Sequence, residues 1–277
     1  MKIDAHQHFW VYNSKEYSWI DDSMKVLRRD YLPADLKTHL KEAGFSGTVA
    51  VQARQTVEET RWLLDLADKY DFIRGIVGWV DLCSADDLGE QLDEFCRSEK
   101  FVGVRHVVHD EPDDNFMMRD DFLKGLGMLK SYGLTYDLLL FPRHLPVAHR
   151  VVSMFPDQKF VVDHISKPPI KNHLIGQWKN DIMKLAEFSN VWCKLSGMVT
   201  EADPRNWKPE EFHPYLDIVS EAFGPERLMA GSDWPVCLLA GEYKEVMAIV
   251  DNYFSEMSPE VRERILGLNC KEFYGIT

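Results

Sequence analysis

Cysteine is scarce and scattered in this 277-residue chain: Cys83, Cys96, Cys193, Cys237 and Cys270 are odd in number, and none stands in a CxxC pair. That pattern gives no sign of a disulfide framework or a zinc knuckle and predicts reduced thiols in a cytoplasmic protein. Also missing is any apolar run long enough to span a bilayer, and the charged, histidine-bearing first ten residues lack the apolar core of a signal peptide. Cations are outnumbered, with 32 Lys and Arg against 45 Asp and Glu, and the net charge of −13 argues against a nucleic-acid backbone as partner. A few local arginines would still serve an anionic small molecule. No low-complexity tract, linker or charge block divides the chain, so residues 1–277 read as one domain.

What is present is alternation. Short apolar runs such as Thr48-Val49-Ala50-Val51-Gln52, Phe72 to Val80, Phe101 to Val107, Leu134 to Leu140, Lys159 to His164, Val191 to Ser196 and Arg227 to Gly231 each precede a helical stretch. Pro33 to Ala43 reads as a helix with proline in its first turn and Gly44 as its stop, and Ser84 to Ser98 as one capped by Ser84. Gln7 to Leu32 is the exception, a long aromatic-rich stretch without clear period, and a loop of that length is usually functional. About eight strand–helix units in this length predict a (β/α)₈ TIM barrel. An open doubly wound sheet is the competing fold, but the turn after its first strand is usually Gly-rich, and here it is histidine-rich.

In such a barrel the chemistry sits at the C-terminal ends of the strands. The first strand, Ile3-Asp4-Ala5-His6-Gln7-His8, ends in two histidines at alternate positions, a pair that points to one side. Strand four ends in Arg105-His106, strand six in Asp163-His164 and strand eight in Ser232-Asp233. His6, His8, His164 and Asp233 therefore form a candidate site for one metal ion with room for water. Each alone has an ordinary structural explanation; four at strand ends make that explanation poor.

Several stretches carry a family resemblance: Asp4-Ala5-His6-Gln7-His8-Phe9-Trp10, Gly75 to Leu82, Phe101 to His106, Asp163-His164-Ile165-Ser166-Lys167-Pro168, Lys194-Leu195-Ser196-Gly197, and Phe223 to Arg227 with Gly231-Ser232-Asp233-Trp234-Pro235. On these the chain resembles the amidohydrolase superfamily, in its amidohydrolase-2 branch and nearest its sugar-lactonase group. The resemblance implies hydrolysis of a sugar-acid lactone, with His6, His8, His164 and Asp233 at the superfamily positions. Members with two metals carry a lysine at the end of strand four and a histidine at the end of strand five, where this chain has Arg105-His106 and Leu140-Phe141. One divalent metal at most is implied, zinc foremost, weakly held or dispensed with; His144 is a distant substitute ligand.

A lactone needs an activated water, a polarised carbonyl and a proton for the departing alkoxide. Asp233 is the expected base, with His164 and Arg105 beside it, and the metal or the histidines would polarise the carbonyl. His106, Gln52, Trp10, Trp79 and Trp234 are expected to hold the substrate, the indoles against the C–H faces of a sugar ring. Asp137 and Lys194 stand as charges within apolar strands, their roles open. The competing readings are a zinc-dependent decarboxylase of the same branch and a silent, metabolite-binding barrel. The aromatic segment after strand one is expected to cover the barrel mouth or a contact between copies in a homo-oligomer.

Overall fold

The computed structural model describes residues 1–84 and 86–277. Eight parallel strands run in chain order around one sheet: β1 (Ile3–Gln7), β2 (Gly47–Val51), β3 (Ile73–Gly78), β4 (Phe101–His106), β5 (Thr135–Leu138), β6 (Phe160–Val162), β7 (Val191–Leu195) and β8 (Leu228–Ala230). The ring closes between its first and last strands, where Gln7 pairs in parallel with Trp234, His8 N donates to Trp234 O at 2.7 Å and Asp233 N to His6 O at 2.8 Å. This is the expected (β/α)₈ barrel.

Most of the strands form because they are short runs of β-branched and apolar residues with both faces covered, β1 being the polar exception, and the helices because each carries one apolar stripe. In α1 (Pro33–Ala43) the stripe is Pro33, Leu36 and Leu40, and Gly44 ends the helix in the left-handed region at φ 76°. In α2 (Val57–Lys69) Thr56 caps the N-terminus by accepting from Glu59 N, and Glu59, Thr60, Leu63 and Ala67 face inward. The helix expected from Ser84 is observed over α3 (Leu88–Phe95); its predicted first turn includes Ala85, which lies outside the described residues. Helices α4 (Asp120–Leu129), α5 (Leu145–Met154) and α6 (Gly176–Ala186) continue the outer layer, followed by a single turn, α7 (Met198–Glu201), then α8 (His213–Phe223) and α9 (Tyr243–Tyr253).

Two cores result. The large one lies between sheet and helices. The smaller one fills the lower lumen, where Ile3, Val49, Val51, Val77, Val161 and Met229 meet Cys270, Phe273 and Tyr274 of the C-terminal helix. Above that plug the lumen turns polar. The stretch after β1 folds over the mouth: Trp10 bridges to Tyr31, and Tyr17, Ile20 and Leu27 are buried beneath it. Among the described residues no helix is long and apolar enough to cross a membrane.

Candidate active site

The site is built on a buried charge network. Lys194 of β7, fully buried, sits 2.5 Å from Asp137 Oδ2, 3.0 Å from Asp163 Oδ1 and 3.2 Å from His6 Nδ1. Arg105 Nη1 is 3.0 Å from Asp163 Oδ2, and Tyr274 donates to Asp137 Oδ2 at 2.8 Å. The two carboxyls differ in their surroundings. Burial pushes both toward the neutral acid, but Asp163 has Lys194, His6 and Arg105 around it and is held well below the ordinary carboxylate range, whereas Asp137 has one cation and is raised. Asp163 therefore carries the charge that faces His6.

Above this floor three imidazoles and one carboxylate converge. His6 Nε2 is 3.2 Å from His8 Nε2; Asp233 Oδ1 is 3.3 Å from His8 Nε2 and 3.8 Å from both His6 Nε2 and His164 Nε2. Each ring is oriented from behind. His8 Nδ1 lies 2.8 Å from Val51 O, a pure acceptor, so Nδ1 bears a hydrogen and Nε2 is the atom turned toward Asp233. His6 Nδ1 faces Asp163 Oδ1 at 3.3 Å, and His164 Nδ1 faces Ser196 Oγ at 2.8 Å. Burial lowers His6 and His164 well below the usual imidazole range, with Asp163 and Asp233 respectively pulling the other way. Asp233 is held low: burial opposes its ionisation, but His164, His8 and Lys167 outweigh it.

The Nε2 atoms of His6 and His8 and Oδ1 of Asp233, 3.2 to 3.8 Å from one another, have the spacing a single tetrahedral cation would accept, because ligands about 2.0–2.1 Å from zinc lie roughly 3.4 Å apart; His164 Nε2 stands 3.8 Å from the same Asp233 oxygen. The other group of suitable spacing, His6, Asp163 and His164, fits less well, since both Asp163 oxygens already face Lys194 and Arg105. Among the described residues His144 is not part of either group; its Nδ1 accepts from Phe141 N at 3.1 Å and its Nε2 faces Asp114.

The backbone holds these groups under strain. Asp233 has φ 57°, and His164, Ile165, Ser166 and Lys167 form a left-handed turn, φ 54°, 47°, 60° and 48°. Such conformations cost about 1–2 kcal/mol per non-glycine residue and need outside support. Trp178 Nε1 supplies some by donating to Ile165 O at 2.8 Å. Gly197 makes room: a Cβ there would lie 2.6 Å from His164 Cγ and Nδ1. At β8, Asp4 accepts from Ser232 N at 2.9 Å, Ser232 Oγ at 2.6 Å and Tyr243 OH at 3.1 Å, which fixes the strand end bearing Asp233.

A cavity of about 920 Å³ opens above the cluster, and His8, Arg105, His164 and Asp233 line it. Its walls come from the mouth-covering segment (Glu16, Ser18, Trp19, Met24), the loop after β2 (Ala53 to Thr56), and the loops carrying His109, Asp110, Phe141, Lys167, Thr200, Glu201, Val236 and Leu239. Arg105 thus reaches the cavity from the floor network, its Nη1 also 3.3 Å from His6 Nε2.

The five residues expected to hold substrate are not among those that line this cavity, and the structure shows where each stands instead. Strand side chains alternate, so if Arg105 faces the lumen His106 faces the helices, where it stacks on Phe116 with ring centroids 4.7 Å apart and meets Glu111 at 2.7 Å. Trp79 shares that outer layer and donates to His106 Nδ1 at 3.4 Å. Trp10 and Trp234 are fully buried, the former donating to Arg29 O at 2.9 Å, the latter packed on Phe9 and Tyr31. Gln52 acts through Arg105: its Nε2 donates to Arg105 O at 3.2 Å and its backbone carbonyl accepts from Arg105 Nη2 at 2.5 Å.

The family model described as Amidohydrolase matches residues 3–276. An L-fucono-1,5-lactonase of Burkholderia multivorans is 38% identical to this chain over its whole length and 96% of the relative's. A second, from Burkholderia ambifaria, is 36% identical over 99% of this chain and 96% of its own. A crystal structure of an amidohydrolase from Burkholderia multivorans with bound zinc matches with a TM-score of 0.97 at 38% identity, covering 100% of both chains. With strand order, strand-end residues and almost the full length in agreement, the chain belongs to the amidohydrolase family, in its amidohydrolase-2 branch.

Proposed function

We propose that this chain opens a sugar-acid 1,5-lactone, of the L-fuconolactone class, to the free hydroxy acid. The observation that carries the reading is Asp233: a carboxylate kept ionised at the floor of a large cavity, Oδ1 within 3.3 to 3.8 Å of three imidazole nitrogens. An ionised carboxylate beside bound water is a competent general base. Asp233 takes a proton from the water that attacks the lactone carbonyl, and returns it to the ring oxygen as the C–O bond breaks. Arg105, fixed by Gln52 and Asp163, directs its remaining N–H groups toward the oxygen on which negative charge grows.

His6, His8, His164 and Asp233 would hold a divalent metal, zinc by the chemistry of three imidazoles and one carboxylate, and that ion would polarise the carbonyl and acidify water. Asp163, Val51 and Ser196 then serve as the groups that orient the ligating rings. The likeness to two L-fucono-1,5-lactonases supports the substrate class. A panel of aldonolactones with a pH indicator tests it. The expected result is acid release from 6-deoxy-hexono-1,5-lactones, abolished in Asp233→Asn with the fold intact. No acid from any lactone, or full turnover by Asp233→Asn, would defeat the reading.

A further inference from the structure

The mechanism uses the floor of the cavity and leaves its wall unassigned. On that wall the loops after β6 and β7, the two that present and make room for His164, place Lys167 and Glu201 opposite each other. Lys167 ends the left-handed turn and Glu201 ends α7. Their nearest charged atoms, Nζ and Oε1, are 3.9 Å apart, and the side chains are 20% and 22% exposed. A pair built for stability closes to about 2.7–2.9 Å and donates a hydrogen bond. This one does not close. Among the described residues neither side chain makes a hydrogen bond at all, although the ammonium offers three donors and the carboxylate about four acceptor positions. Most other charged groups near the site are committed: Arg105 to Asp163, Lys194 to two carboxyls, Arg54 to Glu16 at 2.6 Å.

We propose that Lys167 and Glu201 read one ring hydroxyl of the substrate, Glu201 accepting its O–H and Lys167 donating to its oxygen. An oxygen about 2.8 Å from each atom fits across a gap of 3.9 Å. A hydroxyl is both donor and acceptor, so it satisfies both members at once; a C–H₂ group satisfies neither and leaves two charged groups desolvated. The pair therefore selects a hydroxylated lactone over its deoxygenated counterpart at one carbon. Neither residue touches the reacting atoms, so the contribution of Glu201 falls on binding, while Lys167, whose charge also helps hold Asp233 low, contributes to kcat as well. This inference rests on the sugar-lactone reading and adds to it the residues that recognise the sugar.

The test measures kcat and KM for L-fucono-1,5-lactone and its 2-, 3- and 4-deoxy analogues, with Ki against the parent where turnover is slow. In the wild type one deoxy analogue should lose roughly 10- to 100-fold in kcat/KM, the scale of a hydrogen bond to a charged group. Glu201→Ala should weaken the parent by a similar factor, mostly through KM, and should no longer distinguish the parent from that analogue. Its response to the other two hydroxyls should stay as in the wild type. Lys167→Met should blunt the same hydroxyl, and Glu201→Gln, which keeps an acceptor, should fall between. If Glu201→Ala weakens all four lactones equally, or keeps full sensitivity to every hydroxyl, the pair reads nothing and the inference falls alone. A wild type that opens no hydroxylated lactone overturns the sugar-lactone reading and this inference with it.

Discussion

Replacing Lys194 with methionine puts the buried charge network to a quantitative test. The ammonium is fully buried, 2.5 Å from Asp137 and 3.0 Å from Asp163. At an effective dielectric of about 20 these contacts are worth roughly 7 and 5–6 kcal/mol of attraction, much of it cancelled by the cost of burying the charges. Removing one partner does not recover that cost, because the carboxyls stay behind. Asp163 keeps Arg105, but Asp137 is left with only the Tyr274 hydroxyl. The expected loss is about 3–5 kcal/mol at pH 8, a large share of a typical domain's stability. The sign with pH follows from Asp137. Burial raises its carboxyl already, and losing Lys194 raises it further, so the folded variant retains a proton that the unfolded chain gives up. The variant is therefore less impaired in acid, and its deficit grows as pH rises through the folded-state pKa. Urea unfolding followed by tryptophan fluorescence at pH 5.5 and pH 8 measures both. A deficit under about 1 kcal/mol at pH 8, or one equal at the two pH values, would refute the assignment. Lys194→Met combined with Asp137→Leu should recover much of the loss, since a buried pair replaced as a whole costs little.

Gly197→Ala places a Cβ 2.6 Å from the His164 ring at φ 63°; the expected outcome is a stability loss of about 1–2 kcal/mol and a fall in kcat on the order of 100-fold, measured by thermal melts and lactone turnover, and wild-type kcat would contradict it. Glu59, buried where it accepts from Ala53 N at 2.9 Å and Arg54 N at 2.7 Å, is pushed up by burial to about 7. Its folded pKa lies above its unfolded value, so the fold is favoured in acid and loses on the order of 3 kcal/mol as pH rises from about 4.5 through about 7; Glu59→Gln should flatten that part of the profile in urea titrations. Zinc uptake by equilibrium dialysis should show one ion per chain in the wild type, and His8→Ala should weaken it by at least about tenfold. Undiminished uptake in His8→Ala would remove His8 from the ligand set.

The barrel was legible because its signals are local: short apolar runs, proline at a helix start, glycine at a helix stop. The convergence of His6, His8, His164 and Asp233 followed from one topological rule about strand ends. The expected binding residues lie outside the cavity lining because the rule does not say which way a side chain points once a strand gives way to a loop. Arg105 and His106 are adjacent in sequence yet face different layers, and period-two alternation makes assigning both to one wall contradictory. Trp10 and Trp234 carry no sign in sequence of whether an indole walls a cavity or fills a core. The charge network lay beyond reach for another reason. Asp137, Asp163 and Lys194 stand out individually as charges in apolar strands, but their pairing depends on barrel register. The left-handed turn from His164 to Lys167 also has no sequence cue, because it contains no glycine.

The closure of the barrel between its two end strands has a consequence for how activity appears during folding. Asp4 and Ser232, which meet at the seam, lie 228 positions apart, and the imidazoles of β1 face a carboxylate carried by β8. No fragment lacking either end brings His6 and His8 to Asp233, so a half-formed barrel lacks the site. Loop-closure entropy must be met before that contact rewards it, and contacts so remote form late. Metal capture and lactone turnover would therefore report the last event of refolding rather than its average progress, lagging behind helix signals and arising together when the seam closes.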